Sequence, residues 1–105
     1  METALTLRTT VPPELNDDSL VLHHVSVLEV EFGNAAMATM RRAMKEVASQ
    51  TGVAFDEVMH ELAGHMYWVA DTGKLVCVIP LPEKDLYLEV PEDLWRIRER
   101  SYAIH

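Results

Sequence analysis

NAAMATMRRAMKEVASQTGVAFDEVMHELAGHM, running from Asn34 to Met66, decides the fold. Its first half places Met37, Met40, Met44 and Val47 three and four residues apart, which is one apolar stripe of a helix. Asn34 is placed to cap that helix through its side-chain oxygen, and Arg41, Arg42 and Lys45 fall away from the stripe. The second half puts Phe55, Val58, Met59, Leu62 and Met66 in one sector of a second helix. Gly52, between the halves, suits the left-handed position that ends a helix without a Cβ penalty. Neither stripe is stable in water, so the pair must lie on an apolar surface built elsewhere in the chain.

Strands supply that surface. Ala4 to Val11 alternates and runs into Pro12-Pro13, which cannot continue a ladder, so it reads as an edge strand. Leu20 to Phe32 reads as one long strand, apolar on both faces through its first two-thirds, as suits a central strand. Met66 to Ala70 and Leu75 to Pro80 follow the helices as a hairpin, with Gly73 giving the turn its positive φ. Leu86 to Val90 is a further short strand. Pro91 to Ser101 has a proline at its start, acids next and arginines last, and so predicts a C-terminal helix presenting Leu94, Trp95 and Ile97. The sum is an α+β fold in one domain, residues 1–105. It has an antiparallel sheet of four or five strands, a two-helix unit on one face and a C-terminal helix. Helices for one sheet face only imply that a second subunit covers the other, hence a homodimer.

Composition narrows the function. The 105 residues carry 17 acids against 9 lysines and arginines, a net charge of −8. Bases concentrate at Arg41, Arg42 and Lys45 and at the C-terminal arginines, while Glu46 to Asp93 holds ten acids and two lysines. Such a surface repels phosphate backbones and anionic membranes and attracts cationic partners. The one cysteine, Cys77, lies in the apolar run Leu75 to Ile79, so it reads as a buried structural thiol in a reduced, cytoplasmic setting. Neither a signal-peptide pattern nor an apolar run of membrane-spanning length is present.

Catalytic motifs fail on spacing. His60-Glu61-Leu62-Ala63-Gly64-His65 resembles the zinc-peptidase signature, but its histidines are five residues apart rather than four, about 140° apart on a helix. Glu57, Glu61 and His65 do share one helical edge, and Glu57 with His60 makes a Glu-x-x-His pair as in carboxylate-bridged metal sites, yet of the further glutamates such sites need the first helix offers only Glu46. Ordinary pairing along a solvated face is the simpler reading. His23 and His24 are neighbours on a strand, so they point to opposite faces and cannot share one site. No Ser–His–Asp set, glycine-rich phosphate loop or paired carboxylates stand out. The expectation is a non-enzymatic protein without cofactor or metal.

Val47 to Val58 resembles a helix-turn-helix: small Ala48, Gly52 four residues on, apolar Val53 next, and Val58 six after the glycine. That resemblance implies a second helix that reads the major groove and a following hairpin that acts as a wing. Glu61 departs from it, standing where an inward apolar residue is usual. The charge departs further, because the second helix presents Asp56, Glu57, His60 and Glu61 and no lysine or arginine. Carboxylates there oppose docking on phosphate by several kcal/mol at low salt, an order-of-magnitude Coulomb figure. The expectation is therefore a small acidic regulator or inhibitor that docks Asp56, Glu57, His60 and Glu61 on a basic protein, itself possibly nucleic-acid-binding. A winged helix-turn-helix DNA regulator and a metal- or small-ligand-binding module are the alternatives.

Overall fold

A computed structural model describes residues 5–98. The opening stretch forms α1 (Asn34–Thr51) and α2 (Phe55–Gly64), with three residues between them. Gly52 takes φ 79°, and its N–H bonds the Ala48 carbonyl at 2.9 Å, so α1 ends in the left-handed cap its sequence implies. Burial follows the stripes. Met40, Met44, Val47, Val58 and Leu62 are buried, and Met37, Phe55 and Met59 pack at the margin.

The helix ends differ in detail from expectation. Gly33 is the cap of α1 and no side chain caps it, because Asn34 is already the first helical residue. The Asn34 side chain therefore starts one position too late to reach the free N–H groups of the first turn. At the other end α2 stops at Gly64, and Met66 is the first residue of a strand, fully buried from there.

The strands are β1 (Thr6–Arg8), β2 (Leu22–Val25), β3 (Val30–Phe32), β4 (Met66–Val69), β5 (Leu75–Ile79), β6 (Leu86–Val90) and β7 (Trp95–Ile97). Five make one antiparallel sheet in the order β1-β6-β5-β4-β2, and β3 pairs with β7 as a separate ribbon. In the β5–β6 register Leu75 faces Val90, Cys77 faces Leu88 and Ile79 faces Leu86, three apolar pairs beneath the helices. The Asp71–Lys74 turn closes the β4–β5 hairpin with Gly73 at φ 75°. The fold is α+β, two helices on a five-stranded antiparallel sheet.

Two long predicted elements are corrected. Leu20 to Phe32 is not one central strand. It breaks at Ser26, whose Oγ accepts from the Leu28 N–H at 3.1 Å while Glu29 Oε1 accepts from the Ser26 N–H at 2.8 Å. This reciprocal capping box holds a 3₁₀ turn over Val27–Glu29. The turn also resets the alternation. Val25 and Val30 are both buried, although a continuous strand would send them to opposite faces. β2 thus becomes a sheet edge, and β3 leaves for the ribbon. Pro91 to Ser101 is not a helix over the residues described. A 3₁₀ turn at Glu92–Leu94 leads into β7, while residues 99–101 lie outside the described range. Trp95 explains the choice. It is buried opposite Phe32, and its Nε1–H donates to the Gly73 carbonyl at 2.9 Å. A strand lets Trp95 point inward while Arg96 points out, and a helix would give up this cross-chain bond.

The second sheet face is covered within the chain itself. Val69, Val76, Tyr87 and Glu89 alternate with the helix-facing residues and are nevertheless buried. The segment between β1 and β2 provides the cover, for Pro12 is fully buried and Glu14 reaches Lys74 Nζ at 2.6 Å. The premise that only a second subunit could cover this face does not hold.

Candidate partner-binding site

α2 fixes where the expected site residues point. Val58 and Leu62 anchor it to the core, so the side chains on the far side of the helical wheel from them face water. Asp56, Glu57 and His60 are exposed, and Glu61 is half-buried. The four therefore do share the outer side of one helix. Asp56 and Glu57 occupy its first turn, where negative charge is favoured by the helix dipole. Neither enters an ion pair among the described residues. Leu62, not Glu61, takes the inward place that the helix-turn-helix pattern assigns to the earlier residue.

The structure adds neighbours that spacing alone does not show. The Arg41 guanidinium carbon lies 5.5 Å, and Lys45 Nζ 5.9 Å, from the centroid of the Phe55 ring. Both are cation–π distances. The basic cluster of α1 therefore borders the acidic first turn of α2. The surface is a negative strip with a positive margin, not an uninterrupted acidic belt. The signal was present in the sequence, since the Gly52 corner folds residue 55 back toward the last turns of α1.

His65 has a local role. Its Nδ1–H donates to the Glu61 carbonyl at 2.9 Å, and the same nitrogen stands 3.7 Å from Glu61 Oε1. The ring thus closes the end of α2 while staying partly exposed. Among the described residues no group of three or more His, Cys, Asp or Glu side chains is arranged to hold a metal ion. His23 stacks against Trp68 with centroids 5.3 Å apart, and His24 meets Tyr67 on the other face at the same distance. His24 Nε2 also lies 3.3 Å from the Gly64 carbonyl. Burial pushes the Cys77 thiol up to about 12, so it stays protonated and inert at neutral pH.

Two other features were not read from sequence. A cleft of about 370 Å³ lies between the end of α1, β1 and the loop before β6, floored by Leu7, Val47, Leu81 and Leu86. On the second sheet face an ionic cluster joins four side chains from four segments. Lys74 Nζ sits 2.6 Å from Glu14 and 3.4 Å from Glu89, and Arg8 Nε sits 2.8 Å from Glu89. The Lys74 hydrogen bond holds the Glu14 carboxyl below the ordinary glutamate range. Burial works against the Lys74 charge, but Glu14 and Glu89 outweigh it and raise its pKa. No sequence spacing links residues 8, 14, 74 and 89: the β1–β6 pairing brings Arg8 to Glu89, the β5–β6 pairing brings Lys74 there, and the turn after β1 carries Glu14 to Lys74. Among the described residues no helix is long and apolar enough to cross a membrane. No protein-family model matches the chain, nor does any curated protein or solved structure.

Proposed function

We propose that the protein is a small, acidic, non-enzymatic regulator or inhibitor that acts in the cytoplasm by docking the outer side of α2 on a basic protein. The observation that carries this reading is the pair Asp56 and Glu57, two exposed carboxylates on a rigid first turn with no ionic partner among the described residues. Charged groups left unpaired on an ordered element cost little in water and are ready to meet cations. The bordering Arg41 and Lys45 set the orientation of a partner that carries an acid at the matching place.

The rival is DNA reading by a winged helix-turn-helix. In its favour is the Gly52 corner, with α1 and α2 packed across it. Against it is the hairpin. A wing needs two free strands, whereas β4 and β5 both lie inside the five-stranded sheet. The acidic first turn of α2 also opposes phosphate.

One set of three proteins tests both. Wild type and the double charge reversal Asp56→Lys, Glu57→Lys are titrated with an oligoarginine peptide and with duplex DNA at physiological salt. Wild type binds the peptide and leaves the DNA free, and the reversal weakens peptide binding about tenfold more than a matched reversal at Glu83 and Asp85 does. Equal loss at both places reduces the effect to net charge and removes the site. A wild-type shift of duplex DNA at that salt overturns the assignment.

A further inference from the structure

We infer that a second copy of this chain pairs with the outer edge of β2, antiparallel, about a two-fold axis at His23. This does not depend on the partner proposed for α2.

β2 ends the five-stranded sheet, and among the described residues no strand lies beyond it. The Ala70 N–H donates to the Val21 carbonyl at 3.0 Å. Val21, His23 and Val25 therefore turn their backbone groups toward β4, and by alternation Leu22 and His24 turn theirs outward. The opposite edge, β1, is guarded in the usual way by Arg8 and by the prolines that follow at 12 and 13. β2 has no such guard. Ser19 to Leu28 is ten residues without Asp, Glu, Lys or Arg, the longest such run in residues 5–98. A chain of net charge −8 repels a copy of itself over most of its surface, and this edge is where the two can meet without opposing like charges.

The register follows from the free groups. With His23 opposite His23 of the second copy, Leu22 and His24 exchange backbone hydrogen bonds, twice by symmetry. Val21, half exposed in the single chain, then faces Val25 of the other copy on the same side of the sheet. Slipping by two residues either way loses bonds. The Leu20 N–H already donates to the Asp17 carbonyl at 3.1 Å, and the Ser26 N–H already donates to Glu29 at 2.8 Å. The turn at Ser26 also carries the chain off the strand line before Glu29 comes opposite Asp17 of the second copy. The paired copies would form one ten-stranded sheet.

Sedimentation of the full chain over a concentration series, at neutral pH, tests this with two variants. His24→Pro removes an outward N–H and leaves the β2–β4 ladder whole, since that ladder uses residues 21, 23 and 25. It removes two bonds per dimer, about fivefold each, and raises the dimer dissociation constant about twenty-five-fold. His23→Lys sets two positive charges face to face at the axis and lowers dimerisation without touching the core. Thermal melts confirm that each variant folds, and should His24→Pro fail to fold, His23→Lys gives the reading alone. A wild type that stays monomeric throughout, or a dimer unmoved by His23→Lys, overturns the inference.

Discussion

The two faces of the five-stranded sheet solve burial in opposite ways. One is closed by α1 and α2 with aliphatic and methionine side chains, and no charge enters it. The other is closed by a loop and a 3₁₀ turn, and it buries Glu89 and most of Glu14 against Lys74. Helices bring their own periodic stripe and need no polar help. A short irregular segment has little apolar surface to offer, so charge pairing fixes its place. The lesson is that the first face should depend on side-chain volume and the second on ionisation, and this difference can be tested.

The largest effect belongs to the helix-covered face. Leu88 is fully buried beneath the helices, so Leu88→Ala leaves a cavity and lowers unfolding stability by about 3 kcal/mol. Chemical denaturation measures this, and the loss should be the same at pH 5 and pH 8 because no titrating group is involved. A pH-dependent loss would mean that the two faces are coupled, and the contrast between them would fail.

Next is the ionic face. Lys74→Met strands the partly buried Glu14 carboxylate, leaves Glu89 with Arg8 alone, and costs about 2 kcal/mol at neutral pH. Here pH matters. The folded pKa of Glu14 is depressed, so its stabilisation is complete above the ordinary value of about 4.5 and is lost as pH falls through the depressed one. The folded pKa of Lys74 is raised, so its stabilisation is complete below about 10.5 and is lost as pH rises through the raised one. The cost of Lys74→Met is thus flat between those limits and shrinks outside them. A cost that persists undiminished at pH 3 would assign Lys74 a packing role rather than an ionic one.

The same contrast explains what the sequence reveals. The helix-covered face is legible because its information is periodic: Met40, Met44, Val47, Val58 and Leu62 announce themselves by spacing, and all are buried. Gly52 and Gly73 are legible because a positive φ leaves few other residues to choose from. The ionic face is not legible, since residues 8, 14, 74 and 89 meet only through strand order. The break at Ser26 was readable in principle. Ser26-Val27-Leu28-Glu29 is a capping-box spacing, but the apolar alternation around it dominates a strand reading. Trp95 misleads in the other direction, because helix-like end signals at Pro91 and the arginines outweigh a partner, the Gly73 carbonyl, that lies 22 residues away. On α2, spacing correctly puts Asp56, Glu57, His60 and Glu61 on one side. It does not show that Arg41 and Lys45 reach the ring of Phe55 beside them.

The smallest effects sharpen the comparison through one glycine on each side. Gly52 lets the two helices lie together on the first face, and Gly73 turns the chain into Lys74 on the second. Both have positive φ, but their surroundings differ. A Cβ on Gly52 would meet nothing within 4 Å, whereas on Gly73 it would stand 2.8 Å from Glu92 Cβ. Gly52→Ala therefore carries only the conformational cost of a left-handed alanine, about 1 kcal/mol. Gly52→Asn recovers part of it, because asparagine tolerates that region better. Gly73→Ala carries the same conformational cost plus a clash near the backbone of the 3₁₀ turn that precedes Trp95, and should exceed it by about 1 kcal/mol. Denaturant midpoints for the three variants decide the matter. If Gly73→Ala proves no worse than Gly52→Ala, the Glu92 turn yields easily. The hairpin then does not tie the sheet to the β3–β7 ribbon, and the Trp95 bond to Gly73 is a consequence of the ribbon's position rather than its cause.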